Sequence, residues 1–247
     1  MDSFARVVVG LTASVLLLLL VALPLLHVSP PPPGFVESFV LTAVFGLVAS
    51  LSSLVPGLAA ALATRRGGPW GLLAQILYIP AVVPPTSVGV LLLASFSLPR
   101  LACGGGVEVL CGAASFVSEY VVNKPLGVLI AMAVMALPTS FSIFDGALRE
   151  ERAEAFFRSL GFSGPRLLLL LLLSLRSATV SALVFSWIRS FGELGVLLVF
   201  ASYPVTASIY IYQAWLSYGV GPAVGASLAV IAVVAALAFV ARRWLSS

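Results

Sequence analysis

The stretch ERAEAFFRSLGFSGPR, residues 151–166, is a charged break in an otherwise apolar chain, and it fixes how the flanking segments are arranged. It holds three Arg and two Glu, together with Gly161 and the Gly164–Pro165 pair, whereas charged residues make up only 9% of the 247 residues and hydrophobic residues 61%. A soluble domain carries roughly 25% charged residues. The sequence therefore predicts an all-α polytopic membrane protein in which this stretch lies outside the hydrocarbon.

Six apolar segments approach or exceed the ~20 residues that a helix needs to cross a bilayer. We predict six transmembrane helices at Val7 to Leu26, Phe39 to Ala63, Leu72 to Leu98, Leu126 to Phe144, Ala178 to Phe200 and Val220 to Val240. Residues 1–37 would form the first helix and an external Pro-rich linker, 38–243 the transmembrane domain with a loop at about 145–177, and 244–247 a tail. We interpret the first helix as retained, because no small-residue cleavage site of a secretory signal follows it.

The distribution of Lys and Arg predicts the orientation. Ten of the 13 basic residues fall on one side of the six spans: Arg6, Arg65, Arg66, Arg149, Arg152, Arg158, Arg166, Arg176, Arg242 and Arg243. Only Arg100 and Lys124 fall on the other side, so the positive-inside rule places both termini and residues 151–166 in the cytoplasm of a cell-membrane protein. The basic residues form no stripe that would bind nucleic acid. Cys103 and Cys111 lie outside, either as a disulfide or as two buried thiols.

The motifs of an enzyme are missing. The chain has no GxxxxGK[ST] phosphate loop, its one His, His27, lies at a membrane border, and no Asp falls within a predicted span. A metal site or a Ser–His catalytic pair would need residues that the spans lack. We therefore predict a transport protein without catalytic residues, cofactor or metal. A stand-alone channel or an ion-coupled carrier is the alternative from another class.

The segment from Asp145 to Gly161 has a modest helical period, and Gly161 is a plausible helix C-cap. The Gly164–Pro165 turn then leads into seven consecutive Leu residues, 167–173, between Arg166 and Arg176. The nine residues between these Arg would rise only about 14 Å as a helix, too little to cross alone. This segment must enter the interface or pack on neighbouring helices. The whole loop is either a docking surface for a soluble partner or a solvated connector.

Arg189 and Glu193 lie inside the predicted fifth span, four residues apart, where one helix would bring them to the same face. Each charge costs about 2.5–3.5 kcal/mol near the middle of a bilayer, so the charged face should turn toward protein or a water-filled path. A structural ion pair is one interpretation, and an Arg189 that attracts a passing oxyanion is the other. Pro80, Pro84 and Pro85 interrupt the third span, as a hinge or pathway wall or as a static kink.

Three stretches resemble the membrane subunits of type I ABC importers, in the version found in molybdate, tungstate and sulfate permeases. The loop resembles their Glu-x-Ala-Ala-x-x-Leu-Gly pattern, at Glu154, Phe156, Phe157, Leu160 and Gly161. IPAVVPPTSVGVLLL, residues 79–93, is similar to a Pro-Pro segment of that family, and FSWIRSFGELGVLLVFASYP, residues 185–204, to its Arg-Ser-x-Gly-Glu-x-Gly run. Phe156 and Phe157 replace Ala of the family pattern, and Ser174 replaces a Pro.

The resemblance implies a permease that translocates molybdate or tungstate, with sulfate as the alternative, and that forms a homodimer in membrane lipid. It also implies two cytoplasmic ABC ATPase subunits and an extracytoplasmic oxyanion-binding protein as partners. The loop residues named above would couple to the ATPase. The residues expected along the translocation pathway are Arg189, Ser190, Gly192, Glu193, Pro84, Pro85, Thr86 and Gly89.

Overall fold

The computed structural model describes residues 3–103, 108–150 and 153–245, and within them the chain is helical and contains no strand. The described helices are α1 Ser3–Leu17, α2 Phe35–Arg66, α3 Gly68–Gln75, α4 Ile79–Val82, α5 Pro85–Cys103, α6 Glu108–Tyr120, α7 Pro125–Glu150, α8 Ala153–Ser159, α9 Gly164–Ser174, α10 Arg176–Phe191, α11 Gly195–Phe200, α12 Ala207–Tyr218 and α13 Val220–Leu245. The predicted all-α class is confirmed.

Among the described residues, four helical stretches are long and apolar enough to cross a bilayer singly: Val7–His27, Phe35–Arg66, Pro125–Glu150 and Val220–Ala241. Up to two further spans form only as bent pairs, Gly68–Val82 with Pro85–Ser97 at 119° and Gly164–Ser174 with Arg176–Phe191 at 87°. The chain is thus a multi-pass membrane protein with four to six spans.

The third span breaks where its prolines predict an interruption, whereas the fifth differs from the single helix that the sequence predicts. The third breaks at Val83, whose backbone is extended at φ −80° and ψ 143°. The residue before a proline is driven out of the helical region, and Val83 precedes Pro84. The predicted fifth span, 178–200, is also interrupted, because α10 ends at Phe191 and α11 begins at Gly195.

The central helix α2 turns several Ser and Thr residues toward protein and a row of Val and Leu residues outward. Its buried face includes Ser38, Thr42, Ser50 and Ser53, and its exposed face runs along Val36, Val40, Val44, Val48, Leu51 and Val55. Lipid is as apolar as valine, so helices in a membrane associate through small residues and hydrogen bonds instead of hydrophobic burial. The pattern of α2 is that of a helix with lipid on one side and protein on the other.

Helices α2, α7 and α10 meet at small residues. Ser140 of α7 shares hydrogen bonds with Ser53 of α2 at 2.6 Å and with Ser186 of α10 at 2.9 Å. A Cβ atom added at Gly57 would lie 2.8 Å from the Ser140 Cβ and 3.1 Å from the Phe141 backbone nitrogen. Only glycine therefore permits the observed approach of α2 to α7.

Two apolar clusters lie on either side of this contact. One contains Leu58, Phe144, Leu148, Leu167 and Leu171 and adjoins α8 and α9, so we call its end of the molecule the α8 end. The other joins α5, α7 and α11 at the opposite end. Leu167 and Leu171 are buried while Leu169 and Leu173 are exposed, so the poly-Leu segment packs one face on neighbouring helices.

We predict that Gly57→Ala lowers the melting temperature of the protein in detergent. The added methyl must push α7 away from α2, at a cost of about 1–3 kcal/mol. Gly146→Ala is the matched control, because a Cβ at Gly146 of α7 meets no atom within 4 Å. We expect the control to melt at or above the wild-type temperature, since alanine favours a helix by about 1 kcal/mol. Equal melting temperatures of the two variants would contradict the close contact between α2 and α7 at Gly57.

Candidate functional site

The predicted coupling loop folds into α8 and a turn stopped by glycine. Gly161 has a left-handed φ of +85°, its N–H donates to the Arg158 carbonyl at 2.9 Å, and the Phe162 N–H donates to the Phe157 carbonyl at 3.1 Å. These two bonds and the Phe157–Phe162 ring contact, with centroids 6.4 Å apart, form a Schellman motif. The predicted C-cap at Gly161 is confirmed, and α9 begins at Gly164, which also has a positive φ of +59°.

Electrostatic contacts attach α8 to the end of α2. The Glu154 Oε1 atom accepts a hydrogen bond from Arg158 Nε at 2.8 Å and lies 3.8 Å from Arg66 Nη2. The neighbouring Arg65 donates to the carbonyl of Leu148 near the end of α7. In the sequence, Arg65 and Arg66 indicate only the orientation of the spans. In the structure they also bind α7 and α8, the helices on either side of residues 151–152.

The predicted coupling residues divide between two faces of α8. Phe157 is half-buried and packs against the apolar cluster at the α8 end. Phe156 and Leu160 are each 58% exposed, and Phe162 is 36% exposed. This exposed apolar surface, which we call the α8 patch (Phe156, Leu160 and Phe162), stands beside the charged Glu154 and Arg158. One face of α8 therefore contacts the membrane helices while the other is open.

The ion pair of Arg189 and Glu193 forms, but it does so across a helix end. Arg189 Nη1 lies 3.0 Å from Glu193 Oε2, whereas α10 ends at Phe191 and Glu193 follows it. The prediction that one helix carries both charges is wrong, because Gly192 ends α10 as its C-cap. The side chain of Glu193 is 1% exposed and that of Arg189 is 36% exposed.

Glu193 makes two further contacts that fix the break between α10 and α11. Its Oε1 atom accepts the backbone N–H of Val196 at 3.0 Å, so the carboxylate caps the start of α11. Its carbonyl accepts a hydrogen bond from Ser208 Oγ of α12 at 2.6 Å. A buried carboxylate with these partners is charge-paired and hydrogen-bonded, as burial requires. Glu193 thus links three helices: its carboxylate binds α10 and α11, and its backbone carbonyl binds α12.

The two breaks in the helices lie side by side. A Cβ atom at Gly195 would lie 2.8 Å from the Pro85 Cβ and 3.0 Å from the Thr86 nitrogen. One at Gly89 would lie 3.0 Å from the Val196 carbonyl oxygen. The N-terminal turn of α5 therefore packs directly on that of α11. The structure thus brings together residues that the sequence separates by more than a hundred positions.

The remaining predicted pathway residues have different surroundings. Pro84, Pro85 and Thr86 are exposed, whereas Gly89 is buried. Ser190 is 1% exposed, and its hydroxyl donates to the Ser186 carbonyl at 3.0 Å, close to Gly46 of α2. Assignment of these residues to a pathway stays a prediction.

Two other expectations concern sites of different kinds. The side chain of Cys103 lies outside the described residues, so its pairing with Cys111 stays a prediction. Within the described part of the chain, no three His, Cys, Asp or Glu side chains come together as metal ligands would.

Comparison with known proteins gives relatives of one kind. No protein-family model matches the chain. It is 29% identical over 171 residues to the molybdate/tungstate transport system permease protein WtpB of Thermococcus kodakarensis, covering 68% of this chain and 60% of the relative. The protein of the same name from Pyrococcus abyssi is 27% identical over 177 residues, covering 70% and 62%. That of Methanocaldococcus jannaschii is 26% identical over 236 residues, covering 90% of each. The aligned region spans about three-fifths of the first two relatives.

We predict that Glu193→Ala destabilises the protein by about 2–3 kcal/mol, because it leaves Arg189 and the Val196 N–H without their acceptor. The Arg189 side chain is about one-third exposed, so the loss of stability should lie toward the lower end of the range for buried ion pairs. Glu193→Gln keeps an acceptor oxygen for Val196 and should cost about 1 kcal/mol.

The measurement is the melting temperature in detergent, with Glu119→Ala, which removes an exposed carboxylate of α6, as the control. If Glu193→Ala and Glu119→Ala had the same melting temperature, the cap on α11 and the ion pair with Arg189 would not stabilise the break between α10 and α11.

Proposed function

We propose that the chain is the membrane-spanning permease subunit of an ATP-driven importer of molybdate or tungstate. A homodimer of the chain would enclose the pathway, two cytoplasmic ATPase subunits would supply the energy, and an extracytoplasmic binding protein would deliver the ion. The names of the relatives favour molybdate and tungstate over sulfate. The N- and C-termini and α8 would lie in the cytoplasm, in accord with the positive-inside rule.

The observation that carries the proposal is the α8 patch. An apolar surface beside charges, on a short helix joined to the membrane helices by a glycine-stopped turn, fits a soluble partner better than a solvated connector. A connector would have no reason to expose Phe156 and Leu160 together. The chain has no phosphate loop of its own, so an ATP-driven transporter built on it would take its energy from a partner that binds there.

The contacts around α8 suggest how movement would reach the pathway. The Glu154–Arg66 contact joins α8 to α2, and the turn at Gly161 and Gly164 joins it to α9 and hence to α10. Helix α10 ends at the Arg189–Glu193 pair, and Glu193 caps α11, which packs on α5. Closure of the ATPase subunits would thus shift both helix breaks through elements that are already in contact.

Arg189 is the proposed electrostatic element of the pathway. Its side chain is 36% exposed, and Glu193 fixes the position of its guanidinium group. A positive group attracts a dianion, and the neighbouring carboxylate prevents the attraction from becoming a trap.

We predict that Phe156→Ala/Leu160→Ala lowers the amount of ATPase subunit that co-purifies with the chain by about tenfold or more, since exposed apolar side chains at the centre of an interface carry much of its affinity. Leu169→Ala/Leu173→Ala is the control, because it removes two comparably exposed side chains from α9. We expect the control to retain the ATPase. Full retention by the α8 variant would show that the ATPase binds elsewhere or is not a partner.

A further inference from the structure

The guanidinium group of Arg158 on α8 is only partly hydrogen-bonded. Its Nε atom donates to Glu154 Oε1 at 2.8 Å. Among the buried side-chain nitrogen and oxygen atoms of the described residues, Arg158 Nη2 alone has no hydrogen-bond partner. A buried donor left unpaired costs free energy, and the cost is larger when the group is charged. The chain by itself therefore lacks an acceptor for Arg158.

Arg149, near the end of α7, forms a complete pair at the same spacing. It also lies four residues after a carboxylate, and its Nε and Nη2 atoms both donate to Asp145 Oδ2, at 3.1 and 2.7 Å. Its side chain is 71% exposed, whereas that of Arg158 is 35% exposed. The spacing of the charges thus does not explain the unpaired Nη2 of Arg158.

The carboxylate beside Arg158 is shared between two cations. Glu154 Oε1, which accepts the hydrogen bond from Arg158, also lies 3.8 Å from Arg66 Nη2, beyond hydrogen-bond distance. Two positive charges therefore face one negative charge, and Arg166 at the start of α9 is exposed nearby in the chain. A second carboxylate would both accept the free N–H group and balance the charge of this cluster.

Arg158 lies at the edge of the exposed face of α8. Ala155, one turn before it, and Ser159, which follows it, are both exposed. Since about a third of the Arg158 side chain is exposed, a rotation of the guanidinium group brings Nη2 to the surface. A partner that covers the α8 patch would therefore place its own side chains within reach of Arg158.

We propose that Arg158 selects the partner of the α8 patch. The ATPase surface that binds there has an apolar cleft for Phe156 and Leu160 and, at the rim of that cleft, a carboxylate that pairs with Arg158. This inference rests on the proposed function and adds the chemistry of the partner. A hydrogen bond between a guanidinium and a carboxylate is short and strong, and the apolar contact beside it limits the access of water.

The test is the affinity of the purified ABC ATPase subunit of the same transporter for the full chain in nanodiscs of phosphatidylcholine and phosphatidylglycerol. Arg158→Glu places like charges together, and we expect Kd to rise about thirtyfold or more. Arg158→Gln keeps an N–H donor without the charge and should raise Kd about fivefold. Arg149→Glu and Arg149→Gln are the matched controls, because they change the same charge at a complete pair. We expect both controls to stay within about twofold of the wild type.

A purely structural role for Arg158 gives different results. If the residue only held Glu154, its loss would destabilise the chain without the ATPase. We expect instead that Arg158→Gln alone melts within about 2 °C of the wild type, because an i,i+4 pair contributes little and an unpaired donor is removed. The affinity of the wild type for the ATPase should fall as salt is added, and that of Arg158→Gln should fall less.

Unchanged ATPase affinity in Arg158→Glu would overturn the proposal, and so would equal losses in the Arg149 variants, since only the overall charge would then matter. Less phosphatidylglycerol bound to Arg158→Glu in native mass spectrometry, with ATPase affinity retained, would assign the donor to a lipid phosphate and would also overturn it. If the wild-type chain bound no ATPase, or Phe156→Ala/Leu160→Ala bound it fully, the proposed function would fail instead.

Discussion

The structure depends on the close approach of α2 to α7 at Gly57 and Ser140. In a bilayer, apolar side chains gain little by leaving lipid for protein, so helices are held by dispersion contacts at short range and by hydrogen bonds. The serine hydroxyls of α2, α7 and α10 supply such bonds at the point where the absent Cβ of Gly57 lets the backbones meet. The two apolar clusters and both helix breaks are arranged around this contact.

The closely packed centre of α2, α7 and α10 supports the two helix breaks and α8. A broken helix in a membrane exposes backbone groups, and it is tolerated only where protein or a polar cavity supplies partners. Glu193 supplies one at the start of α11, and Gly195 packs closely on Pro85 at the other break. At the α8 end, Glu154 and Arg66 join the exposed helix to α2. Specific contacts thus attach the two helix breaks and α8 to the helices around them.

Much of this could be predicted from the sequence, and the rest fails for identifiable physical reasons. The apolar segments, the turn at Gly161 and the pairing of Arg189 with Glu193 follow from local spacing. The helix end at Gly192 does not, because membrane helices tolerate glycine, so one glycine inside an apolar run does not show where a helix ends. The pairing of Arg66 with Glu154, and the packing of Gly195 on Pro85, join residues distant in the chain. No local pattern contains that information.

The central claim is that work enters through α8 from an ATP-hydrolysing partner and not from an ion gradient. The direct measurement is oxyanion uptake by proteoliposomes that contain the chain, its ATPase and the binding protein, with ionophores present to collapse the proton gradient and the membrane potential. The account predicts uptake that requires ATP on the side of the membrane where α8 lies and that continues in ionophore. Uptake that needs no ATP and stops when the gradients collapse would contradict it.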